Sequence, residues 1–158
     1  MKKGTTLFLK LAVILIGLPV LTLSLFGLTR LINNPVSPAY DQLLYPILTG
    51  IYVSVLPFFI ALYETFKLLN HIDKNQAFSD LSVKGLKNIK FCALAISSLY
   101  LVILPFVYVV AELDDAPGLI ILGMVPVFAS LVIAVFAAVL QRLLQEAIRI
   151  KSENELTV

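Results

Sequence analysis

Charged side chains are scarce in this chain of 158 residues. Only 14% of the residues are Asp, Glu, Lys or Arg, whereas 59% are hydrophobic and the mean hydropathy is +0.97. A soluble domain needs about a quarter of its residues charged to cover its surface. The shortage excludes an ordinary soluble domain and indicates that a lipid bilayer surrounds most of the chain. The formal net charge of +2 is also too small to indicate direct binding of nucleic acid.

Reactive and metal-binding side chains are equally scarce. The one cysteine, Cys92, excludes an intramolecular disulfide, and its apolar neighbours indicate a small buried residue near a helix end. The one histidine, His71, cannot form a metal or acid–base site alone. The chain has no Gly-rich phosphate loop and no nucleophile motif. We therefore expect no catalytic residue, no cofactor and no metal, and an enzyme is the least favoured class.

Four charge-free runs are long enough to cross a bilayer. A hydrocarbon core about 30 Å thick needs about 20 helical residues. Such runs are longer than buried strands or core helices. The sequence therefore predicts an all-α integral membrane protein, a bundle of four transmembrane helices forming one membrane domain over residues 1–158. The predicted spans are residues 11–29, 42–63, 91–111 and 116–141, with a middle loop over 64–90 and a tail over 142–158.

The basic residues lie almost entirely on one side of these spans. Of the twelve Lys and Arg residues, all but Arg30 fall in the N-terminus, the middle loop or the tail. Membrane proteins retain basic residues on the cytoplasmic side. Both termini and the middle loop are therefore predicted to be cytoplasmic, with helix four extended into the cytoplasm.

A small acidic segment, ELDDAPG at residues 112–118, separates the third and fourth spans. Asp114 and Asp115 precede the expected start of helix four at Ala116, where carboxylates complement the helix dipole and Pro117 suits the first turn. The alternative is a Ca²⁺ or Mg²⁺ site. Such ions take about six oxygen ligands, and these carboxylates fall short even with Asp41 added. We therefore predict helix capping.

The spans contain no Asp, Glu, Lys, Arg or His. Proton-driven pumps and ion-coupled transporters keep ionisable groups at membrane depth, so these classes are disfavoured. A passive pathway for a small solute stays open, because backbone carbonyls can line one. Small hydroxyl residues remain in the spans and are expected to serve helix packing first: Thr22, Ser24, Thr49, Ser54, Ser97, Ser98 and Ser130. Tyr52 and Tyr100 lie deep in the spans, and each hydroxyl is expected to need a hydrogen-bond partner.

Ser130, Ala134 and Ala138 recur every four residues on helix four and form a stripe of small residues. Such a stripe lets two helix backbones approach closely. The favoured interpretation is contact with another helix of the same bundle. The alternative is the seam of a homo-oligomer.

The middle loop is expected to contain helix two as far as about His71, a turn over residues 73–79, and a helix capped by Ser79 or Ser82. Basic residues recur every three positions in that last helix. Their expected role is contact with anionic lipid headgroups, worth about 1 kcal/mol per residue. These residues are Lys84, Lys87 and Lys90.

Helix four is predicted to continue past the membrane with one apolar face, formed by Leu140, Leu143, Leu144, Ala147 and Ile148. The opposite face carries charges spaced for i,i+4 and i,i+3 ion pairs, Arg142–Glu146 and Glu146–Arg149. An apolar stripe beyond the bilayer needs a cover, which is the middle loop, the lipid interface or another protein. The candidate docking surface for a protein comprises Arg142, Leu143, Leu144, Glu146, Ile148 and Arg149.

Three segments carry a resemblance to a known family: NQAFSDLSVKGLKNIKF, AELDDAPG and FAAVLQRLLQEAIRIKSENELTV. With the four-span plan, they resemble bacterial four-helix membrane proteins of the domain of unknown function 2975 family. The resemblance covers nearly the whole chain. It implies a multi-pass protein of the bacterial cytoplasmic membrane with no established enzymatic activity and no assigned site residues. It also implies a genomic companion, a small helix-turn-helix regulator of the Cro/repressor type.

Three classes of function follow. The favoured class is a membrane-embedded regulatory or interaction protein that restrains or signals to such a regulator, by analogy with other bacterial pairs. The second is a transport or permeation protein for a small uncharged solute, and the third is a lipid-facing accessory subunit. The first class places the function in the middle loop and tail, whereas the second places it in the spans.

The predicted orientation can be tested by thiol labelling in intact cells. In a Cys92→Ser background, Asn34→Cys and Asp114→Cys are expected to react with a membrane-impermeant reagent, because both loops face outward. Ser79→Cys is the control on the other side and is expected to react only after permeabilisation. Labelling of Ser79→Cys in intact cells would contradict the orientation.

Overall fold

The computed structural model of the protein describes residues 3–33 and 41–157. In this part of the chain there are four α-helices and no strand, which confirms the predicted all-α class. The predicted outer loop around Asn34 lies outside the described residues. The helices are α1 (Lys3–Asn33), α2 (Asp41–Asp73), α3 (Asp80–Leu113) and α4 (Gly118–Thr157).

All four helices are long and apolar enough to cross a membrane, judged by length and composition. Even the 31 residues of α1 extend roughly 46 Å at 1.5 Å per residue, more than the ~30 Å hydrocarbon core. Large aliphatic and aromatic side chains cover the outward faces of every helix. A surface this apolar requires lipid around it. The protein is therefore a multi-pass membrane protein.

The helices are longer than the predicted spans. α2 continues to Asp73 and α3 already begins at Asp80, so most of the segment 64–90 is helical and the connection is a short turn. The 40 residues of α4 extend roughly 60 Å. About half of that length suffices for the hydrocarbon core. The predicted extension of α4 beyond the membrane is thus a continuous helix.

Close packing among the described helices joins consecutive helices only. α1 packs on α2, α2 on α3, and α3 on α4, and the α1–α2 interface is the smallest of the three. The buried residues concentrate on α3, including Ala93, Ser97 and Ile103. α1 and α4 do not pack against each other. The bundle therefore has one open side, between its first and last helices.

Glycine and hydroxyl groups set how closely α2 approaches its neighbours. A Cβ added at Gly50 would collide with the Ile103 side chain of α3, so glycine permits the close α2–α3 contact. On the other side of α2, the Tyr52 hydroxyl donates to the Ser24 carbonyl of α1 over 3.1 Å. Gly27 lies beside that hydroxyl and leaves room for it. The partner that the deep Tyr52 hydroxyl needs is thus a backbone carbonyl of α1.

The turn between α3 and α4 is closed by a Schellman motif. Asp115 adopts a left-handed conformation with φ 51°, and its N–H donates to the Glu112 carbonyl over 3.3 Å. The Ala116 N–H donates to the Ala111 carbonyl over 2.8 Å. These two bonds satisfy carbonyls at the end of α3. Asp115 therefore terminates α3. The sequence had indicated a role for this carboxylate at the start of helix four and gave no sign of this one.

The α2–α3 contact can be tested with Gly50→Ala. We expect a loss of about 1–3 kcal/mol of stability, because the added methyl forces the Ile103 side chain to move. Gly118→Ala is the matched control, since nothing lies within 4 Å of a Cβ at that position. Thermal unfolding of the purified protein in detergent measures the difference. Adding Ile103→Val to Gly50→Ala should recover part of the loss, and equal melting temperatures for both glycine variants would contradict the steric argument.

Candidate functional site

Polar contacts join the helices at one end of the bundle, which we call the basic end. It comprises the start of α1, the turn 74–79 and the C-terminal end of α4. Lys10 Nζ donates to Asp73 Oδ2 over 2.8 Å, and the two side chains are 18% and 22% exposed. Lys10 also lies over the Phe66 ring, 5.5 Å from its centroid. Lys90 Nζ donates to Gln141 Oε1 over 3.3 Å. The basic residues thus connect α1 to α2 and α3 to α4, in addition to indicating orientation.

The turn 74–79 uses a second Schellman motif. Asn75 is left-handed with φ 59°, and the Gln76 N–H donates to the His71 carbonyl over 2.7 Å. Ser79 is the N-cap residue of α3, as predicted, but its side chain makes no capping bond. The hydroxyls of Ser79 and Ser82 instead donate to the Gln76 carbonyl over 2.6 and 3.2 Å. These bonds hold the turn close to the first turn of α3.

An apolar groove of about 450 Å³ lies at the basic end, between the end of α2, the start of α3 and the extension of α4. We call it the tail groove. Its floor includes the buried Ser82 and Leu86, and Phe78 and Leu143 stand 55% and 61% exposed at its edges. The turn therefore covers the stripe of α4 only in part. The lining residues are Leu68, Ile72, Ala77, Phe78, Ser82, Leu86, Leu140, Leu143, Leu144 and Ala147.

The six residues of the predicted docking surface divide between the groove and its surroundings. Leu143 and Leu144 line the tail groove. Ile148 is half-buried without lining it, and the three charged residues are exposed. The charged residues are Arg142, Glu146 and Arg149.

The ion pairs on the tail differ in part from the prediction. Arg149 Nη2 lies 2.7 Å from Glu146 Oε2, and Arg149 Nη1 lies 3.9 Å from Glu153 Oε1. The predicted Arg142–Glu146 pair does not form in the described helix, because Glu146 turns toward Arg149 instead. The hydrogen bond from Arg149 to Glu146, with the charge of that carboxylate, raises the pKa of Arg149 above its ordinary value.

The three lysines predicted to contact lipid headgroups have different surroundings. Lys87 and Lys90 lie over the Phe91 ring, 5.9 and 5.1 Å from its centroid, and Lys90 also reaches α4. Lys84 lines a small polar pocket of about 150 Å³ between α2 and α3, together with Glu64, Lys67, His71 and Asn88. Periodicity did not predict this pocket, because its two walls lie on different helices. Contact of the three lysines with headgroups stays a prediction.

A cavity of about 430 Å³ lies between all four helices at membrane depth, and we call it the inner cavity. Its polar lining residues include Ser54, Thr65 and Tyr100, and three alanines are among the apolar lining residues. The sequence singled out Ser54 and Tyr100 as polar groups within the spans but did not place them together. The remaining lining residues are Val20, Val55, Phe58, Ala61, Leu62, Ile89, Ala93, Ile96, Pro126, Ala129, Ser130 and Ile133.

The stripe of small residues on α4 begins on its buried face. Ser130 and Ala134 are buried, whereas Ala138 is half-buried. Nearby, the Ser97 hydroxyl of α3 donates to the Val127 carbonyl of α4 over 3.5 Å. The buried part of the stripe is therefore used for packing within one chain. A homo-oligomer seam stays a prediction.

No group of three His, Cys, Asp or Glu side chains within residues 3–33 and 41–157 is placed to hold a metal ion. The features that stand out are an apolar groove at the basic end and an apolar cavity at membrane depth. Both are suited to binding apolar surfaces.

The family described as "Protein of unknown function (DUF2975)" matches residues 30–158. The chain is 53% identical over 160 residues to the "Uncharacterized membrane protein YoaS" of Bacillus subtilis (strain 168), and the alignment covers 100% of both chains. No solved structure matches. The relative is thus similar along its whole length and is named as a membrane protein.

The contact between Lys10 and Asp73 predicts how firmly α1 is held. Asp73→Lys is expected to lower stability by about 1–3 kcal/mol, because it places two cations together in a half-buried site. This loss lies between the losses typical of breaking an exposed and a buried ion pair. Asp80→Lys, at an exposed position on α3, is the control. Thermal unfolding in detergent measures both variants. The exchange Lys10→Asp with Asp73→Lys should recover part of the loss, and equal effects of the two single variants would refute the pairing.

Proposed function

The chain belongs to the DUF2975 family, and we propose that it is a membrane-embedded interaction protein whose basic end binds a cytoplasmic partner protein. The observation that carries this proposal is the tail groove. It is an apolar, partly open surface built from three helices and a turn. In the proposed orientation it faces the cytoplasm.

The position of the tail groove along the helices supports a protein as its occupant. Lys90 and Gln141 are in contact at the level where charged and polar residues replace the apolar spans. The groove residues Leu143, Leu144 and Ala147 follow that level on α4. Hydrocarbon tails therefore do not cover this part of the groove. An exposed apolar surface of this kind marks an interaction site.

The shape of the groove fits an amphipathic helix. In this recognition mode, the apolar face of a helix enters a hydrophobic groove between helices. Phe78 and Leu143 stand at the edges, where they can contact an incoming helix, and the exposed charges of Arg142, Glu146 and Arg149 lie on the same extension of α4. Charges around an apolar centre orient a partner and select it. The partner we propose is the helix-turn-helix regulator that the family resemblance implies.

Transport of a polar solute is less well supported by the geometry of the spans. The Thr65 hydroxyl donates to the Ala61 carbonyl over 2.8 Å, and the Ser54 hydroxyl donates to the Ile51 carbonyl over 2.6 Å. These hydroxyls are thus already bonded within their own helix. The inner cavity offers a polar solute little to replace its hydration.

The docking proposal can be tested with Leu143→Asp and Phe78→Asp. Each change places a carboxylate at the edge of the tail groove and is expected to weaken partner capture by about 30-fold, the effect of losing one anchor worth about 2 kcal/mol. Ile150→Asp is the matched control, because Ile150 is also on α4, is 60% exposed and does not line the groove. The assay is co-purification in detergent with the neighbouring helix-turn-helix regulator that the family resemblance implies. Transcription of the regulator's targets is measured in parallel.

Two further variants define the extent of the docking surface. Deleting residues 152–158 removes the exposed end of α4, and reversing the charges of Arg142 and Arg149 changes the surroundings of the groove. Both are expected to weaken capture while membrane insertion stays normal, because insertion depends on apolar length and on the basic residues near the membrane. If Leu143→Asp and Phe78→Asp bind and regulate like the wild type, the proposal fails. If changes at Ser97, Ser98 or Tyr100 alter solute sensitivity instead, the transport function replaces it.

A further inference from the structure

The inner cavity opens toward the bilayer. Val20 lines it from α1, and Ala129 and Ile133 line it from α4. These two helices do not pack on each other in the described structure. Ala129 is exposed, and Ile133 is 52% exposed, although both line the cavity. Lipid can therefore enter the cavity through the gap between α1 and α4.

Three of the four hydroxyl groups that line the cavity are bonded within the protein, those of Ser54, Tyr100 and Thr65. The hydroxyl oxygens of Ser54 and Tyr100 lie 3.2 Å apart in a hydrogen bond between α2 and α3. Because Ser54 also donates to a carbonyl of its own helix, the Tyr100 hydroxyl is free to donate to Ser54. Thr65 is bonded to its own helix as well. Ser130 is the fourth hydroxyl of the lining, and the other lining residues are apolar, so an apolar occupant is favoured.

The length of the cavity matches one leaflet. From Ser54 to Thr65 on α2, and from Ile89 to Tyr100 on α3, the lining extends about 16 Å at 1.5 Å per residue. Half of the hydrocarbon core is about 15 Å. Ile89 adjoins Lys90, which lies at the polar level of the basic end. The cavity thus extends from that level to about the middle of the membrane.

From these three observations we propose that the inner cavity binds one acyl chain of a phospholipid from the leaflet at the basic end. The volume of about 430 Å³ lies within the range of sites that enclose small apolar ligands. Ala61, Ala93 and Ala129 provide the space, because their side chains end at Cβ. The chain enters sideways from the bilayer, between α1 and α4. This site is separate from the tail groove and does not rest on the proposed docking function.

The test uses the full-length protein in vesicles of phosphatidylglycerol and phosphatidylethanolamine that contain phosphatidylethanolamine with a diazirine on its acyl chain. After photolysis, mass spectrometry maps the covalent adducts. Adducts are expected to be enriched on lining residues of α2 and α3, such as Ile96 and Tyr100, over lipid-facing residues at the same depth. Ala129→Leu is expected to reduce these adducts about tenfold, since it displaces roughly two methylenes of the bound chain.

Ala95→Leu is the matched control, because Ala95 is exposed on α3 and does not line the cavity. It should leave the adducts on Ile96 and Tyr100 unchanged. Val20→Phe fills the cavity from α1 and is expected to reduce the same adducts. It replaces Ala129→Leu in the test if that variant fails to fold. Adducts spread evenly over all lipid-facing residues, or adducts unchanged in both cavity-filling variants, would overturn the proposal. A disulfide-linked dimer formed through Ile133→Cys in a Cys92→Ser background would also overturn it, since a second copy would then occupy the opening.

Discussion

The packing of α3 between α2 and α4 is the contact on which the rest of the structure depends. Lipid tails are as apolar as the helix surfaces, so close van der Waals contact must replace the hydrophobic effect in holding these helices together. Gly50 permits that contact toward α2, and Ser97 and Ala134 are buried where α3 and α4 pack. Because α3 occupies the centre, α1 and α4 do not meet. The inner cavity and its opening follow from that arrangement.

The sequence predicted the four helices, the turn over 73–79 and the membrane setting from strong local signals. Charge-free runs and turn residues act within a few positions of one another, so no tertiary information is needed to interpret them. The geometry of individual side chains was less predictable. Glu146 had basic residues on both sides at helical spacing, and only the structure shows that it pairs with Arg149. Similarly, the left-handed backbone of Asp115 depends on where α3 ends.

The candidate sites were predictable to different degrees. The apolar stripe of α4 was visible because it extends among charged residues, where helical periodicity is informative. The other wall of the tail groove, including Leu68 and Leu86, could be found only once α2, α3 and α4 were placed together. The inner cavity has no sequence signal of its own. Within a bilayer both the buried and the lipid-facing sides of a helix are apolar, so the periodic contrast that marks a core in a soluble protein is lost.

The contact between Lys10 and Asp73 joins residues 63 positions apart and spans the smallest helix interface. During synthesis, α1 emerges from the ribosome and enters the membrane well before Asp73 exists. Until α2 has been inserted, Lys10 therefore lies at the membrane surface, where it is hydrated or paired with lipid phosphate. Helices that are individually stable in the bilayer associate afterwards. The first helix to be inserted thus acquires its ion-pair partner only after the second helix is complete.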